Sequence, residues 1–372
     1  MKKEVIVINY TGRIGGGALD AYETAKALVE CGERVIPIIS SQIENLEMWK
    51  MIRFEKLLII NTYNSQLSFV VNSLLFPFKQ KKQILCDLKQ YKIKAVYCPM
   101  ASFWTMPINN LFKNTFKIVV NHDPIAHSGA KKSSVWLIER SFKTADIIVV
   151  HSKKFLNYTM KKYGNAMYLP LGKHNLYKNV IRKEKIISYD PTKFNFIFFG
   201  RITEYKGLDV LAKAYKRLSD EFGDLITLSV IGSGNFSPYK VLFNNLKGTV
   251  IINRWIKDEE VESVFTGENI VCVCPYKDAT QSGVVLVAYD YGVPVIATNT
   301  GGLDEQVIDN KTGYLIPPND VDELYKAMKK IICGKITIAE MKLNINEYLK
   351  DISWEETAKK IVSLINSREK SN

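Results

Sequence analysis

Residues 270–302 constrain the fold more than any other stretch of this chain. Ile270-Val-Cys-Val-Cys274 is apolar and largely β-branched, the composition of a strand buried on both faces. Asp278-Ala-Thr-Gln-Ser-Gly283 is small and polar, a loop that opens a helix. The helix is expected over Val284–Tyr291, with Gly292 as its stop and Pro294 just beyond. Val295-Ile-Ala297 reads as the next strand, followed by Gly301-Gly302. A strand's carboxyl end therefore meets a helix N-terminus at residues 278–283. Doubly wound sheets bind ligands at such junctions, and the exposed N–H groups there favour phosphate. Shape alone also allows an ordinary strand-to-helix turn.

The same unit recurs from the start of the chain. Val5–Asn9 is a predicted strand, and Tyr10-Thr-Gly-Arg-Ile-Gly-Gly-Gly17 is a glycine-rich loop. Leu19–Cys31 is predicted as a helix with Leu19, Tyr22, Ala25, Leu28 and Val29 on one face, and Val35–Ile39 as the second strand. Gly15, Gly16 and Gly17 allow close backbone approach to a ligand. Their spacing is not G-x-G-x-x-G, and no acidic residue ends the second strand, which argues against a dinucleotide site.

Phe116–Val120 is a further strand, and His122 follows its carboxyl end directly in Asn121-His-Asp123. Adjacent His and Asp side chains do not converge on one metal ion, but His122 can reach a sugar or phosphate from a crevice edge. A structural histidine is the plainer alternative, and His127 in the same loop is a weaker candidate. A strand ending at Val150 carries His151-Ser152 at its tip, and Tyr168-Leu-Pro-Leu-Gly172 closes a first domain, residues 1–172.

A second domain is expected over residues 173–350, its Lys-rich segment 173–193 with Asp190-Pro191 serving as linker. It opens with strand Phe194–Phe199, the loop Gly200-Arg-Ile-Thr-Glu-Tyr-Lys-Gly207, and a helix from Leu208 to about Phe222. Arg201 and Lys206 place two cations on one loop at a strand's end, which suits a diphosphate. Leu225–Gly232 is another strand, and helices are expected over Asp258–Phe265 and Asp320–Cys333. Ser353-Trp-Glu-Glu356 has the form of a capping box and opens a last amphipathic helix to about Ile365, within a final segment 351–372.

Composition narrows the function classes. At 372 residues and 47% hydrophobic content, the chain can build two domains with substantial cores. Its six cysteines are scattered without C-x-x-C spacing, which reads as reduced, buried thiols in a cytoplasmic protein. The apolar run near the start is too short for a secretory signal and reads as a first strand. No His/Cys cluster with ligand spacing offers a metal site.

The formal charge of +13 is uneven: residues 1–172 hold 24 Lys and Arg against 12 Asp and Glu, whereas residues 173–372 hold 27 against 26. A basic first half points to an anionic surface as partner. Leu67–Phe78 is apolar and aromatic, and Lys79-Gln-Lys-Lys82 follows at once. That order suits docking at an anionic membrane interface; a core helix with a solvated basic end is the alternative. No nucleic-acid-binding motif is present, and a nucleic-acid partner leaves Arg201, Lys206 and the crevice loops unexplained.

Taken together, Gly200-Arg-x4-Lys206-Gly, the Pro275–Gly302 block, Gly313-Tyr-Leu-Ile-Pro-Pro318 and the final Ser-Trp-Glu-Glu helix resemble the retaining, nucleotide-sugar-dependent glycosyltransferases of family 4, among the group 1 glycosyltransferases. The resemblance covers nearly the whole chain and is strongest over residues 194–365. It implies a GT-B fold of class α/β: two Rossmann-like doubly wound domains facing across a cleft, with residues 351–372 crossing back onto the N-domain. It places the donor diphosphate on Arg201 and Lys206, His122 near the donor sugar, and Gly15–Gly17 and the amides of Gln281, Ser282 and Gly283 near phosphate.

The family often carries two glutamates eight positions apart in the 270–302 region. Here those positions are Ala279 and Val287, in a variant reading Ala-Thr-Gln-Ser-Gly, and Asp278, Thr280 and Gln281 are the local polar substitutes. The implied activity is transfer of a sugar from a UDP- or GDP-sugar to a glycan or lipid-linked acceptor. It proceeds with retention and without a metal, in bacterial surface polysaccharide synthesis, on a cytoplasmic protein peripheral to the inner face of the cell membrane. The lost glutamates keep open a catalytically impaired partner subunit. A phosphorylase or an epimerase of the same fold shares the phosphate logic.

Overall fold

The computed structural model describes residues 2–125, 132–173, 184–334 and 336–369. His127 and residues 174–183 of the expected linker lie outside them. The chain divides into two compact units. One comprises Met1–Pro124, Ala130–Gly172 and Ile352–Asn372, and the other Ile125–Gly129 and Lys173–Asp351.

In the first unit, strands β1 (Lys3–Tyr10), β2 (Val35–Ser40), β3 (Leu58–Ile60), β4 (Tyr91–Cys98), β5 (Phe116–Val120), β6 (Ile147–Val150) and β7 (Ala166–Tyr168) form one parallel sheet. Its order is β3-β2-β1-β4-β5-β6-β7. The second unit carries β8 (Phe194–Phe199), β9 (Ile226–Ile231), β10 (Thr249–Ile252), β11 (Ile270–Cys274), β12 (Val295–Thr298) and β13 (Gly313–Ile316), also parallel. Their order is β10-β9-β8-β11-β12-β13. Both sheets start at the centre, run to one edge, and return to build the other side. This is the doubly wound α/β arrangement of the GT-B fold, and each sheet has its switch point where the order reverses. The switch lies between β1 and β4 in the first sheet and between β8 and β11 in the second.

The central strands are apolar because helices cover both faces of such a sheet. Val5, Ile6, Val7 and Ile8 of β1 are buried, as are Phe196, Ile197 and Phe198 of β8. On one face of the second sheet, helix Leu208–Phe222 contributes Leu211 and Leu218, and helix Val321–Cys333 contributes Leu324 and Met328. On one face of the first sheet, Phe76, Ile84, Trp104, Ile108 and Phe142 form a single core.

The last helix, Trp354–Glu369, belongs to the first unit and packs on helix Gly16–Glu30 through buried Ala358, Ile361 and Ile365. Ser353 accepts the Glu356 N–H at 3.1 Å, as an N-cap should. The Trp354 ring lies so close over Gly172 that a Cβ there would sit 2.5 Å from it.

Candidate functional site

The second unit brings two loops together at its switch point. One follows β8 and contains Gly200–Gly207; the other follows β11 and leads into helix Gly283–Asp290. Close backbone contact holds them. A Cβ on Gly207, whose φ is 69°, would sit 1.9 Å from the Pro275 carbonyl oxygen, so only glycine fits. The Lys277 N–H donates to the Tyr205 carbonyl at 2.6 Å, and the Lys277 ammonium pairs with Asp209 at 3.0 Å.

Lys206 lies between these loops with only 8% of its surface exposed. Its Nζ stands 3.5 Å from the centre of the Tyr276 ring and 5.3 Å from that of Tyr205. A desolvated cation over an aromatic face is held by about 2 kcal/mol. The Tyr276 hydroxyl shares a hydrogen bond with Ser282 Oγ at 3.2 Å, and burial pushes that phenol well above its ordinary pKa, keeping its proton. The buried cation, the ring and the residue ahead of helix Gly283–Asp290 are thus one connected group.

Gln306 completes the group from the far side. Its Oε1 accepts the Ser282 N–H at 2.8 Å, and its Nε2 donates to the Ser282 carbonyl at 3.1 Å. The Ser282 amide therefore faces inward. The Gly302 N–H donates to the Thr280 carbonyl at 3.0 Å, and a Cβ on Gly301 would overlap the Ala279 carbonyl at 1.5 Å. Gly301 is required by this close approach of β12's loop to residues 279–280.

The remaining predicted residues of this unit differ in placement. Arg201 is exposed and makes no hydrogen bond or ion pair with the described residues. Thr280 and Ser282 are buried, while Asp278, Gln281 and Gly283 are partly exposed. Ala279 and Val287 are buried aliphatic side chains and offer no polar group to a ligand.

In the first unit, the glycine loop follows β1 at that sheet's switch point. The Gly15 N–H, at φ 86°, donates to the Glu44 carboxylate at 2.6 Å. Gly16 is exposed. Gly17 is buried beneath Met100, whose sulfur would lie 2.4 Å from a Cβ at that position.

His122 follows β5 at the same sheet edge, and its Nε2–H donates to the Pro99 carbonyl at 2.8 Å. The carbonyl can only accept, so this bond fixes the tautomer. Asp20 of helix Gly16–Glu30 approaches the same nitrogen at 3.9 Å. Burial lowers the His122 pKa and raises that of Asp20 well above the carboxylate range, so it disfavours the charged form of each. The His151 ring packs edge-on to His122 at 4.7 Å and donates from Nδ1 to the Leu169 carbonyl at 2.9 Å. Burial, reinforced by its neighbour His122, pulls His151 down to about 3.

Asp20, Tyr276 and Gln306 escape a reading of motifs, and His151 is marked there only as a polar residue at a strand tip. His151 sits at a strand tip as His122 does. Nothing local in the sequence marks Gln306. Among the described residues no group of three or more His, Cys, Asp or Glu is placed to hold a metal ion. All six cysteines are free, but the expectation that they are buried holds only for Cys98, Cys272 and Cys274, which lie on central strands; Cys86 and Cys333 are exposed on helices.

Comparison with known proteins adds a family context. Residues 180–351 match the family model described as glycosyl transferases group 1. An uncharacterized glycosyltransferase of Methanocaldococcus jannaschii, MJ1069, is 25% identical over 225 residues, 59% of this chain and 57% of that protein. An uncharacterized 41.2 kDa protein in the cps region of Klebsiella pneumoniae is 26% identical over 313 residues, 83% of this chain and 78% of that protein. Among solved structures, sucrose-phosphate synthase from Thermosynechococcus elongatus superposes with a TM-score of 0.74 at 18% identity, covering 100% of both chains. Anabaena Alr3699/HepE, crystallised with UDP, superposes with a TM-score of 0.71 at 14% identity, covering 98% of this chain and 100% of that one.

Proposed function

We propose that this chain is a nucleotide-sugar-dependent glycosyltransferase, and that the diphosphate of a UDP- or GDP-sugar rests at the switch point of the second unit. The observation that carries the reading is Lys206: a nearly buried cation held on the Tyr276 ring, linked through that ring to the residue before a helix N-terminus. The family match over residues 180–351 supports it.

In this reading Lys206 and Arg201 neutralise the charge that grows on the β-phosphate as the glycosidic bond breaks. The amides of Gly283 and the residues after it add the helix's own donors, because the first N–H groups of a helix have no internal partner. Ser282 serves as scaffold, since its N–H is committed to Gln306. Thr280 positions the loop, while Asp278 and Gln281 are the side chains offered to the sugar or ribose. Preorganised charge of this kind is usually the largest catalytic contribution, and deleting one such group costs roughly 3–4 kcal/mol. The cations would neutralise the leaving group without a divalent metal. His122 is proposed to contact the donor sugar, and Gly15–Gly17 to lie near phosphate, where a ligand would displace Glu44 from the Gly15 N–H.

Retention of configuration, membership of family 4 and a glycan or lipid-linked acceptor in surface polysaccharide synthesis belong to the same proposal. The relative from a cps region favours that setting. A cytoplasmic location, peripheral to a membrane, fits the basic first unit. Residues 1–172 and 173–350 would then divide acceptor and donor duties, with residues 351–372 serving the first. An impaired partner subunit is favoured only by the buried Ala279 and Val287. Incubation with UDP- and GDP-sugars decides between them: release of free nucleotide supports the transferase, and its absence with every donor supports the impaired subunit.

A further inference from the structure

The helix Gln66–Leu75 is inside-out for a surface helix. Such helices normally turn apolar residues inward and polar ones to water. Here Leu67 and Leu74 are 76% and 71% exposed, with Val70 and Val71 also open on the same face. The half-buried side carries polar residues: Asn72 Nδ2 donates to the Thr62 carbonyl at 2.5 Å, and Ser73 Oγ accepts Trp104 Nε1–H at 3.2 Å. Aromatic contacts of Phe69 with Tyr63 at 5.0 Å and Phe103 at 5.3 Å hold the helix to the unit. The outward apolar row is therefore fixed in place and continues into Phe78, itself 78% exposed.

Charge identifies what covers this face. Lys79, Lys81 and Lys82 follow directly and are exposed. No acidic residue occurs between Glu55 and Asp87, whereas four lysines do. An apolar row at helical spacing beside a lysine cluster without counter-charges matches the two layers of an anionic bilayer surface, acyl boundary and headgroups. A protein partner would need acidic and apolar patches in the same order. No helix among the described residues is long and apolar enough to cross a membrane, so the contact is a surface one.

We propose that this row, Leu67, Val70, Val71, Leu74 and Phe78 with Lys79, Lys81 and Lys82, inserts into the interface of a membrane rich in anionic phospholipid. The inference deepens the lipid-side placement of the acceptor in the proposed function and rests on it for its purpose. Its test is independent of that function.

The whole chain is sedimented with vesicles of phosphatidylcholine alone and with added phosphatidylglycerol, at low and high salt. Two variants are compared: Leu67→Ser/Leu74→Ser/Phe78→Ser and Lys79→Gln/Lys81→Gln/Lys82→Gln. Their nucleotide binding without lipid is followed in parallel, so failure of the transferase reading shows there and not in sedimentation. Wild type binds the anionic vesicles at low salt, and each variant loses partitioning by about tenfold or more with nucleotide binding unchanged. Equal sedimentation of wild type and variants overturns the proposal, as does no binding to anionic vesicles. A dimer of the wild type that the apolar variant dissolves also overturns it, because the occupant is then a second copy.

Discussion

Lys206 Nζ lies 3.5 Å from the centre of the Tyr276 ring, and the hydroxyl of that ring lies 3.2 Å from Ser282 Oγ. The ring thus aims the cation and braces the turn before helix Gly283–Asp290. Tyr276→Phe keeps the π face and loses the hydroxyl's bonds to Ser282 and Cys274; Tyr276→Leu loses both face and bonds. Nucleoside diphosphate affinity is expected to fall about tenfold in Tyr276→Leu and to stay near wild type in Tyr276→Phe, as measured by calorimetric titration. Equal loss in both variants would transfer the role from the ring face to the hydroxyl.

Gln306 satisfies both backbone groups of Ser282. Gln306→Ala strands a buried N–H and a buried carbonyl, so the unit should lose about 1–3 kcal/mol per group in denaturant unfolding. Nucleotide affinity should fall with it, because the turn is no longer held.

Gly301 has a φ of 55° and no room for a Cβ beside the Ala279 carbonyl. Gly301→Ala should cost about 1–3 kcal/mol from the backbone conformation alone, and more from the overlap. The unfolding midpoint checks this, with Gly16→Ala, at an open position, as the mild control.

His151 is held neutral, its pKa pulled down to about 3 by burial. The unfolded chain takes up that proton near the ordinary imidazole value of about 6.5. The stability contribution is therefore full above that value and is lost as pH falls through it, by about 2 kcal/mol at pH 5. In a nuclear magnetic resonance titration the His151 ring protons should not move between pH 8 and 5. A midpoint near the ordinary value would contradict the buried His122–His151 pair.

Much of this fold is legible in the sequence. The continuous apolar runs of β8 and β11 announced buried parallel strands, and Gly207 and Gly292 marked where helices begin and end. Arg201, Lys206 and the 278–283 turn are each read on loops at strand carboxyl ends, and their joint role comes from the family resemblance; Lys206 lies against Tyr276 of the facing loop, whereas Arg201 is exposed. Short or interrupted strands did not announce themselves. Leu58–Ile60 and Ala166–Tyr168 are three residues each, and Tyr91–Cys98 carries lysines at its open end. Tyr276, Gln306 and Asp20 were hidden for another reason. Their roles come from packing between residues far apart in the chain, 24 residues from Ser282 to Gln306, 70 from Lys206 to Tyr276 and 102 from Asp20 to His122, distances no local pattern encodes.

Calorimetric titration of UDP and GDP into wild type and Lys206→Ala tests the central claim most directly. The account predicts that one nucleotide binds wild type, and that Lys206→Ala weakens it by about a hundredfold while the unfolding midpoint stays close to wild type. Wild-type affinity in Lys206→Ala, or no binding of either nucleotide to the wild-type chain, would contradict it.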